Sequence, residues 1–199
     1  VPEHWLSQRT LIHFSGIYSA AQIWLNGHYV GYTQGANNVA EFDFTPYLKS
    51  GKNTLAVQVM RWSDGSYIEC QDMFRMSGIF RDVYLFTLPQ VAVRDHVITS
   101  TLSNNYTQSD LNVKLEFSNT MAFKGTKNVV VKVFDPQGKA VAEQMKTVAF
   151  NGEAIAVENL QFHLSDIQGW SAENPQLYTI RIIQQNAQGQ DEMAFSTKY

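Results

Sequence analysis

The stretch AQIWLNGHYVGY, residues 21–32, indicates the fold class of the first part of the chain. Apolar and polar residues alternate on both sides of Asn26-Gly27, and a period of two is typical of half-buried strands. Asn-Gly favours a type I′ turn because both central residues of that turn need positive φ. The stretch therefore predicts an antiparallel hairpin.

The same alternation continues beyond the hairpin, at Glu41–Phe44, Asn53–Met60 and Ile79–Phe86. A segment from Thr45 to Gly51, with a proline and a glycine that favour a turn, joins the first two of these predicted strands. Pro89 then precedes a new set of short strands. We therefore predict two domains, 1–88 and 89–199, with the boundary close to this proline.

The second domain shows about seven short alternating segments with turn signals between them, the spacing expected of an immunoglobulin-like sandwich. Asp135-Pro136-Gln137-Gly138 is a typical turn sequence, because proline presets φ at its second position. Convincing amphipathic helices are absent, which argues against a barrel or a doubly wound domain. The predicted strands are 91–101, 110–117, 128–134, 139–150, 154–164, 178–185 and 190–197.

Composition excludes several classes of function. The 199 residues include 15 basic and 18 acidic side chains, mixed along the chain with a net charge of -3, so nucleic acid is not an expected partner. Neither a signal peptide nor an apolar run near eighteen residues is visible, so no membrane span is expected. Cys70 is the single cysteine and cannot form an intrachain disulfide. The compartment stays open, since a cytoplasmic and a periplasmic location both fit.

The loop from Arg61 to Gly78 has no period of two and gathers the carboxylates Asp64, Glu69 and Asp72. Glycoside hydrolysis by a retaining enzyme needs two carboxyls roughly 5 Å apart, a distance that sequence alone does not give. Three carboxylates in one loop more often form turn hydrogen bonds or pair with arginines such as Arg61 and Arg75. Binding of a hydroxyl or a cation is a more plausible function for them than catalysis.

Other reactive side chains give weaker signals. The five histidines, at positions 4, 13, 28, 96 and 163, lack the spacing that brings ligands onto one metal ion, so we interpret them as structural. No nucleophile motif surrounds Cys70, which we interpret as a small packing residue.

The loop sequences RWSDGSY, residues 61–67, and QDMFRMSGIFRDV, residues 71–83, closely resemble a stretch of bacterial glycoside hydrolase family 2 β-galactosidases. WLNG at 24–27, EFD at 41–43 and WSAENPQLY at 170–178 are similar to the same family. The resemblance implies an all-β chain, with a galactose-binding-like jelly-roll sandwich followed by an immunoglobulin-like sandwich. It also implies that the start at Val1 truncates the jelly roll, whose first strands lie upstream.

The resemblance further implies a catalytic (β/α)₈ barrel after Tyr199, which carries both catalytic glutamates. No catalytic residue is then expected in this chain. Asp72 matches the family's aspartate that binds galactosyl hydroxyls and a sodium ion, chemistry that suits an ionised carboxylate. Arg75, Arg81 and Asp82 are assigned to holding the loop. Sodium and magnesium are implied for the full-length enzyme, neither with a complete site here, and a homo-oligomer is expected.

Our leading hypothesis is a retaining β-galactosidase in which this segment forms one wall of the galactose pocket and a scaffold for the barrel. The segment alone is then expected to be inactive. A freestanding carbohydrate-binding or adhesion module is the alternative from another class. Related β-glucuronidases and β-mannosidases share both sandwich folds, so they remain open within the family.

Overall fold

The computed structural model describes residues 1–35, 37–69 and 74–199. Its elements are almost all strands, and the chain divides into two compact units, Val1–Leu88 and Pro89–Tyr199. Each unit has its own buried apolar core. The all-β class predicted from the sequence is therefore confirmed.

The elements of the first unit are a 3-10 turn (Glu3–Ser7), β1 (Arg9–Phe14), β2 (Ile17–Tyr18), β3 (Ala20–Leu25), β4 (His28–Gln34), β5 (Ala40–Asp43), a second 3-10 turn (Thr45–Tyr47), β6 (Leu55–Met60), α1 (Gly65–Ile68), β7 (Gly78–Ile79) and β8 (Val83–Leu88). The strands form two main sheets, ordered β5-β1-β8 and β4-β3-β6, and a small β2-β7 ladder. The core of the unit draws apolar side chains from both main sheets.

The hairpin predicted around Asn26-Gly27 is present. Strands β3 and β4 pair antiparallel with Leu25 opposite His28, and the two turn residues have φ of 52° and 85°. Alternate residues of β3, Ala21, Ile23 and Leu25, are buried in the core of the unit. The alternation therefore identified the buried face of this strand correctly.

Strand β1 was not identified by alternation, because Thr10, Leu11 and Ile12 are buried one after another. It is the central strand of its sheet, between β5 and β8, and its consecutive buried residues show that both of its faces are covered, which removes the period of two. Arg9 Nε donates a hydrogen bond to Asp43 Oδ2 across the β1–β5 pair, at 2.8 Å. Burial raises the pKa of the Asp43 carboxyl, but hydrogen bonds from Thr45 and Arg9 outweigh it, so this pKa lies below its ordinary value.

The prediction of one continuous strand over Ile79–Phe86 is wrong. Gly78–Ile79 pairs with β2, whereas Val83–Leu88 pairs with β1, and the residues between them belong to neither ladder. The chain changes partner strand at Arg81-Asp82, two consecutive charged residues that interrupt the apolar alternation of the stretch. A local pattern of apolar residues does not report which strand a segment pairs with.

The strands of the second unit are β9 (Val91–Ser103), β10 (Gln108–Asn119), β11 (Lys124–Phe134), β12 (Ala140–Asn151), β13 (Ile155–Ser165), β14 (Thr179–Gln185) and β15 (Asp191–Lys198). They form a sandwich of two sheets, ordered β13-β10-β9 and β12-β11-β14-β15. Each strand overlaps one of the predicted strands. The predicted turn is also present, since Gly138 N donates to Asp135 O at 2.9 Å.

The core of the second unit is built from the inward faces of both sheets. Strand β10 contributes Leu111, Val113, Leu115 and Phe117, which alternate strictly with more exposed residues. Strand β11 faces it with Val129, Val131 and Val133, all fully buried. Burial of such side chains contributes roughly 1.5–3 kcal/mol each, so the facing pair of strands adds substantially to the stability of the unit.

Candidate functional site

The predicted functional loop connects β6 to β8 and is anchored where it leaves β6. Met60 lies opposite Ala20 in the β3–β6 pair. The carbonyl oxygen of Met60 accepts hydrogen bonds from the backbone N–H and the hydroxyl of Ser19, both at 3.1 Å. Because Ser19 is buried, the start of the loop is held rigidly against the sheet.

The first half of the loop folds into the single helical turn α1. The buried Ser66 hydroxyl accepts a hydrogen bond from Ser63 N–H at 3.0 Å, and Ile68 N–H donates to Asp64 O at 3.1 Å. Glu69 N–H donates to Gly65 O at 2.8 Å and closes the turn. The Asp64 carboxylate forms no side-chain cap of this helix and is exposed to solvent.

Strand β4 approaches this turn from the side, a contact that sequence reasoning missed. Gly65 is buried against Gln34, and a Cβ at Gly65 would lie 3.3 Å from Gln34 Nε2. Tyr32 donates its hydroxyl proton to Gln34 Oε1 at 2.6 Å, which orients the amide. No local sequence signal marks Gln34, because its importance comes from the loop that packs on it.

An aromatic pair lies on the exposed side of α1. The rings of Trp62 and Tyr67 stack with centroids 6.3 Å apart, and the Arg61 guanidinium lies 5.5 Å from the centroid of the Trp62 ring. Trp62 is 53% exposed and Tyr67 is 73% exposed. Flat exposed rings beside polar groups suit contact with a sugar or with another protein surface.

The second half of the loop is anchored beside β1 and β2. Ser15 N–H donates to the Asp82 carbonyl at 3.0 Å, and Arg81 Nη1 donates to the Ser15 carbonyl at 3.4 Å. The Arg81 guanidinium also lies over the Phe80 ring, which packs against Gly16 so closely that a Cβ there would lie 2.8 Å from Phe80 Cζ. These contacts agree with the structural role assigned to Arg81, and Asp82 contributes through its backbone.

Apolar side chains project into solvent on both sides of residues 70–73. Tyr67, Ile68, Phe74 and Met76 are between 73% and 95% exposed. We call these four residues the exposed loop cluster. Large apolar side chains that are so exposed and so close in sequence are characteristic of a surface that contacts another protein surface.

Asp72 and Cys70 lie outside the described residues, so the galactose and sodium roles of Asp72 stay predictions. Within residues 1–35, 37–69 and 74–199, no group of three His, Cys, Asp or Glu side chains could hold a metal ion. No helix in that part of the chain is long and apolar enough to cross a membrane. The structural role predicted for Arg75 also stays a prediction.

Four of the histidines pack against separate partners. His13 Nδ1 lies 3.0 Å from Glu41 Oε1 and its ring stacks on Tyr84, while His163 Nδ1 lies 2.8 Å from Asp110 Oδ1. The other two form ring contacts, His28 with Tyr47 and His96 with Phe195. These contacts favour the structural interpretation of these four histidines.

Comparison with protein families assigns both units. Residues 1–89 match the sugar binding domain of glycosyl hydrolases family 2, and residues 91–198 match the family 2 domain that follows it. The chain belongs to glycosyl hydrolase family 2. The resemblance seen in the loop sequence is thereby confirmed.

Relatives of this family 2 chain include proteins named β-galactosidase. That of Priestia megaterium is 40% identical over 187 residues, which cover 93% of this chain and 18% of the relative. That of Vibrio cholerae is 39% identical over 181 residues, 87% of this chain and 17% of the relative. The family 2 chain thus spans less than a fifth of the length of these relatives.

Solved structures of family 2 proteins share the fold. A β-glucuronidase of Bacteroides uniformis superposes with a TM-score of 0.88 at 20% identity, over 100% of this chain and 25% of that protein. A β-glycosidase of Bacteroides vulgatus superposes with a TM-score of 0.81 at 23% identity, over 100% and 24% respectively. The two units are accordingly a jelly-roll sandwich and an immunoglobulin-like sandwich.

Proposed function

We propose that the protein to which this chain belongs is a retaining β-galactosidase that hydrolyses terminal β-D-galactosides. The 40% identity to the Priestia megaterium β-galactosidase, over 93% of the chain, carries this proposal. The chain itself is the non-catalytic part of that enzyme. It has 199 residues, all in two β units, whereas a (β/α)₈ barrel alone needs roughly 250 residues.

In this proposal Asp72 forms part of the wall of the galactose pocket. An ionised carboxylate accepts hydrogen bonds from sugar hydroxyls and is a hard oxygen ligand for sodium. Firm attachment of the loop at Met60 and at Ser15 supports the assignment, because a binding residue has to be held by a rigid scaffold. The ligands for magnesium belong to other parts of the full-length enzyme.

In the full-length protein, the catalytic barrel packs against the exposed loop cluster in this proposal. Four apolar side chains in solvent are unfavourable unless another surface covers them, and a barrel beside residues 70–73 would bring Asp72 to its mouth. The proposed partners are therefore a β-galactoside, the protein's own barrel and further copies of the full-length protein.

The Asp72→Ala variant of the full-length enzyme tests the pocket assignment. We expect kcat/KM on an aryl β-galactoside to fall by about 100-fold and the sodium dependence to disappear, because the substrate and the cation lose a shared carboxylate. Asp64→Ala is the matched control, since Asp64 is an exposed carboxylate on the same loop. We expect it to stay within about twofold of the parent.

Unchanged kinetic constants and an unchanged sodium response for Asp72→Ala would contradict the pocket assignment. Parallel assays with β-glucuronide and β-mannoside substrates test the specificity, and faster turnover of either would contradict the β-galactosidase proposal. Calorimetric titration of the 199-residue chain with galactose and lactose should show no saturable heat. Saturable heat would instead favour a freestanding carbohydrate-binding module.

A further inference from the structure

A pocket of about 310 Å³ opens at one end of the immunoglobulin-like unit. Its inner part is formed by Leu111, Val133, Leu164 and Ile180, which belong to the buried core between the two sheets. The segment from Ile167 to Tyr178 lies over one side of it. A volume near 300 Å³ is at the lower end of the range for sites that bind small molecules.

The polar side chains that line the pocket carry hydroxyl or amide groups. Tyr199 Oη lies 2.8 Å from Ser100 Oγ in a hydrogen bond, and Gln168 N–H donates to Tyr178 Oη at 3.1 Å. All four of these residues line the pocket. No charged side chain is among the described residues that line it, so a charged ligand would find no side-chain ion-pair partner.

Trp170 lies at the same pocket and is 62% exposed. A ligand that fills the pocket and covers part of the indole would remove apolar surface from water on both molecules. Water at the apolar inner part of the pocket has few hydrogen-bond partners, so its displacement by a small aromatic ring is favourable. The exposed indole therefore adds a favourable contact for a flat ring.

The distribution of polar groups distinguishes between ligand classes. A pyranose carries hydroxyls around its whole ring, and several of them would be buried against leucine, valine and isoleucine without hydrogen-bond partners. An aromatic ring with one hydroxyl places its apolar part against the core side chains and its hydroxyl beside Ser100 and Tyr199. The arrangement of apolar core and neutral polar groups therefore favours the second class.

We propose that this pocket binds a small neutral phenol. The site belongs to the immunoglobulin-like unit and does not depend on the galactosidase proposal, since none of its lining residues lies in the loop that carries Asp72. A phenol without ionised groups satisfies both the uncharged lining and the hydroxyl pair.

The test titrates the 199-residue chain with 4-methylphenol at pH 7, by calorimetry and by saturation-transfer NMR. We expect saturable binding with a dissociation constant on the order of 1 mM, typical of a ligand with so few atoms. Leu102→Trp should weaken binding at least tenfold by filling the pocket. Val97→Trp is the matched control on the same strand, because Val97 is 47% exposed, Leu102 is 44% exposed, and only Leu102 lines the pocket.

Trp170→Ala provides a second variant that should fold normally, since Trp170 is an exposed loop residue. We expect it to bind 4-methylphenol several-fold more weakly. Absence of saturable binding to the parent chain would overturn the proposal, as would equal losses in Leu102→Trp and Val97→Trp. Competition by galactose would also overturn it, because a sugar would then be the ligand of this pocket.

Discussion

Asn26 connects three segments of the jelly-roll unit through one side chain. Its Nδ2 donates to Tyr47 O at 2.9 Å and to Asn53 Oδ1 at 2.8 Å, and its Oδ1 accepts from Thr54 N–H at 3.0 Å. The residue also holds φ of 52° in the hairpin turn. Asn-Gly predicted the turn from local chemistry, whereas the three hydrogen bonds depend on segments more than twenty residues away.

Asn26→Ala should lower the free energy of unfolding by about 3 kcal/mol, from lost hydrogen bonds and from alanine at positive φ. Asn26→Gly should lower it by about 2 kcal/mol, because glycine accepts this φ at no steric cost. Asn105→Ala is the control, since Asn105 has φ of 53° and no side-chain hydrogen bond among the described residues. Urea denaturation measures all three, and equal values for Asn26→Ala and Asn105→Ala would contradict the crosslinking role.

At the scale of elements, a partly buried ion pair ties β11 to β15 across the intervening β14. Lys127 Nζ donates to both carboxylate oxygens of Glu192, at 2.7 and 2.8 Å. Gln184 of β14 donates to the same carboxylate at 3.3 Å and to Val91 O at 2.6 Å. The Lys127 side chain is only 9% exposed, so its ammonium group has little access to water and Glu192 is its carboxylate partner. Alternation alone predicts these strands and gives no sign of the pair.

Glu192→Ala should lower the free energy of unfolding of the immunoglobulin-like unit by about 2 to 3 kcal/mol, because it leaves a buried ammonium unpaired. Glu143→Ala is the matched control. Glu143 of β12 forms an ion pair with Lys132 of β11, and these two side chains are 52% and 33% exposed. It should cost less than about 0.5 kcal/mol, as exposed ion pairs do. Thermal unfolding followed by circular dichroism measures the stability of both variants. Equal losses of stability would contradict a special contribution from the buried Lys127.

At the scale of the whole molecule, the exposed loop cluster predicts different behaviour for the chain alone and for the full-length protein. Phe74→Asp should leave the melting temperature of the 199-residue chain unchanged, because Phe74 is 95% exposed there. In the full-length protein it should lower kcat/KM by about tenfold, since an aspartate at a docking surface stays unpaired. Activity on an aryl β-galactoside and calorimetric melting test the two statements.

Tyr106→Asp is the control for this comparison. Tyr106 is 72% exposed at a turn of the immunoglobulin-like unit, far in sequence from the loop. Its φ of 66° suits aspartate, which tolerates the left-handed region. Full activity of Phe74→Asp, or an equal loss in Tyr106→Asp, would contradict docking of the barrel on the exposed loop cluster.

The amino-acid sequence by itself determined the all-β class, most strands, the two turns and the glycosyl hydrolase family. These properties follow from local information: alternation reports which side chains are buried, turn residues report allowed φ, and a long loop motif identifies a family. Asp72 came from that motif and lies outside the described residues, so its role remains a prediction.

Only the tertiary structure decided which strands pair, and therefore that Gly78–Ile79 and Val83–Leu88 belong to different sheets. The structure alone also revealed Gln34 beside α1, the hydrogen bonds of Asn26, the Lys127–Glu192 pair and the pocket at Trp170. Each of these joins residues that are distant in sequence. Their contacts depend on the packing of whole sheets, which no local pattern encodes.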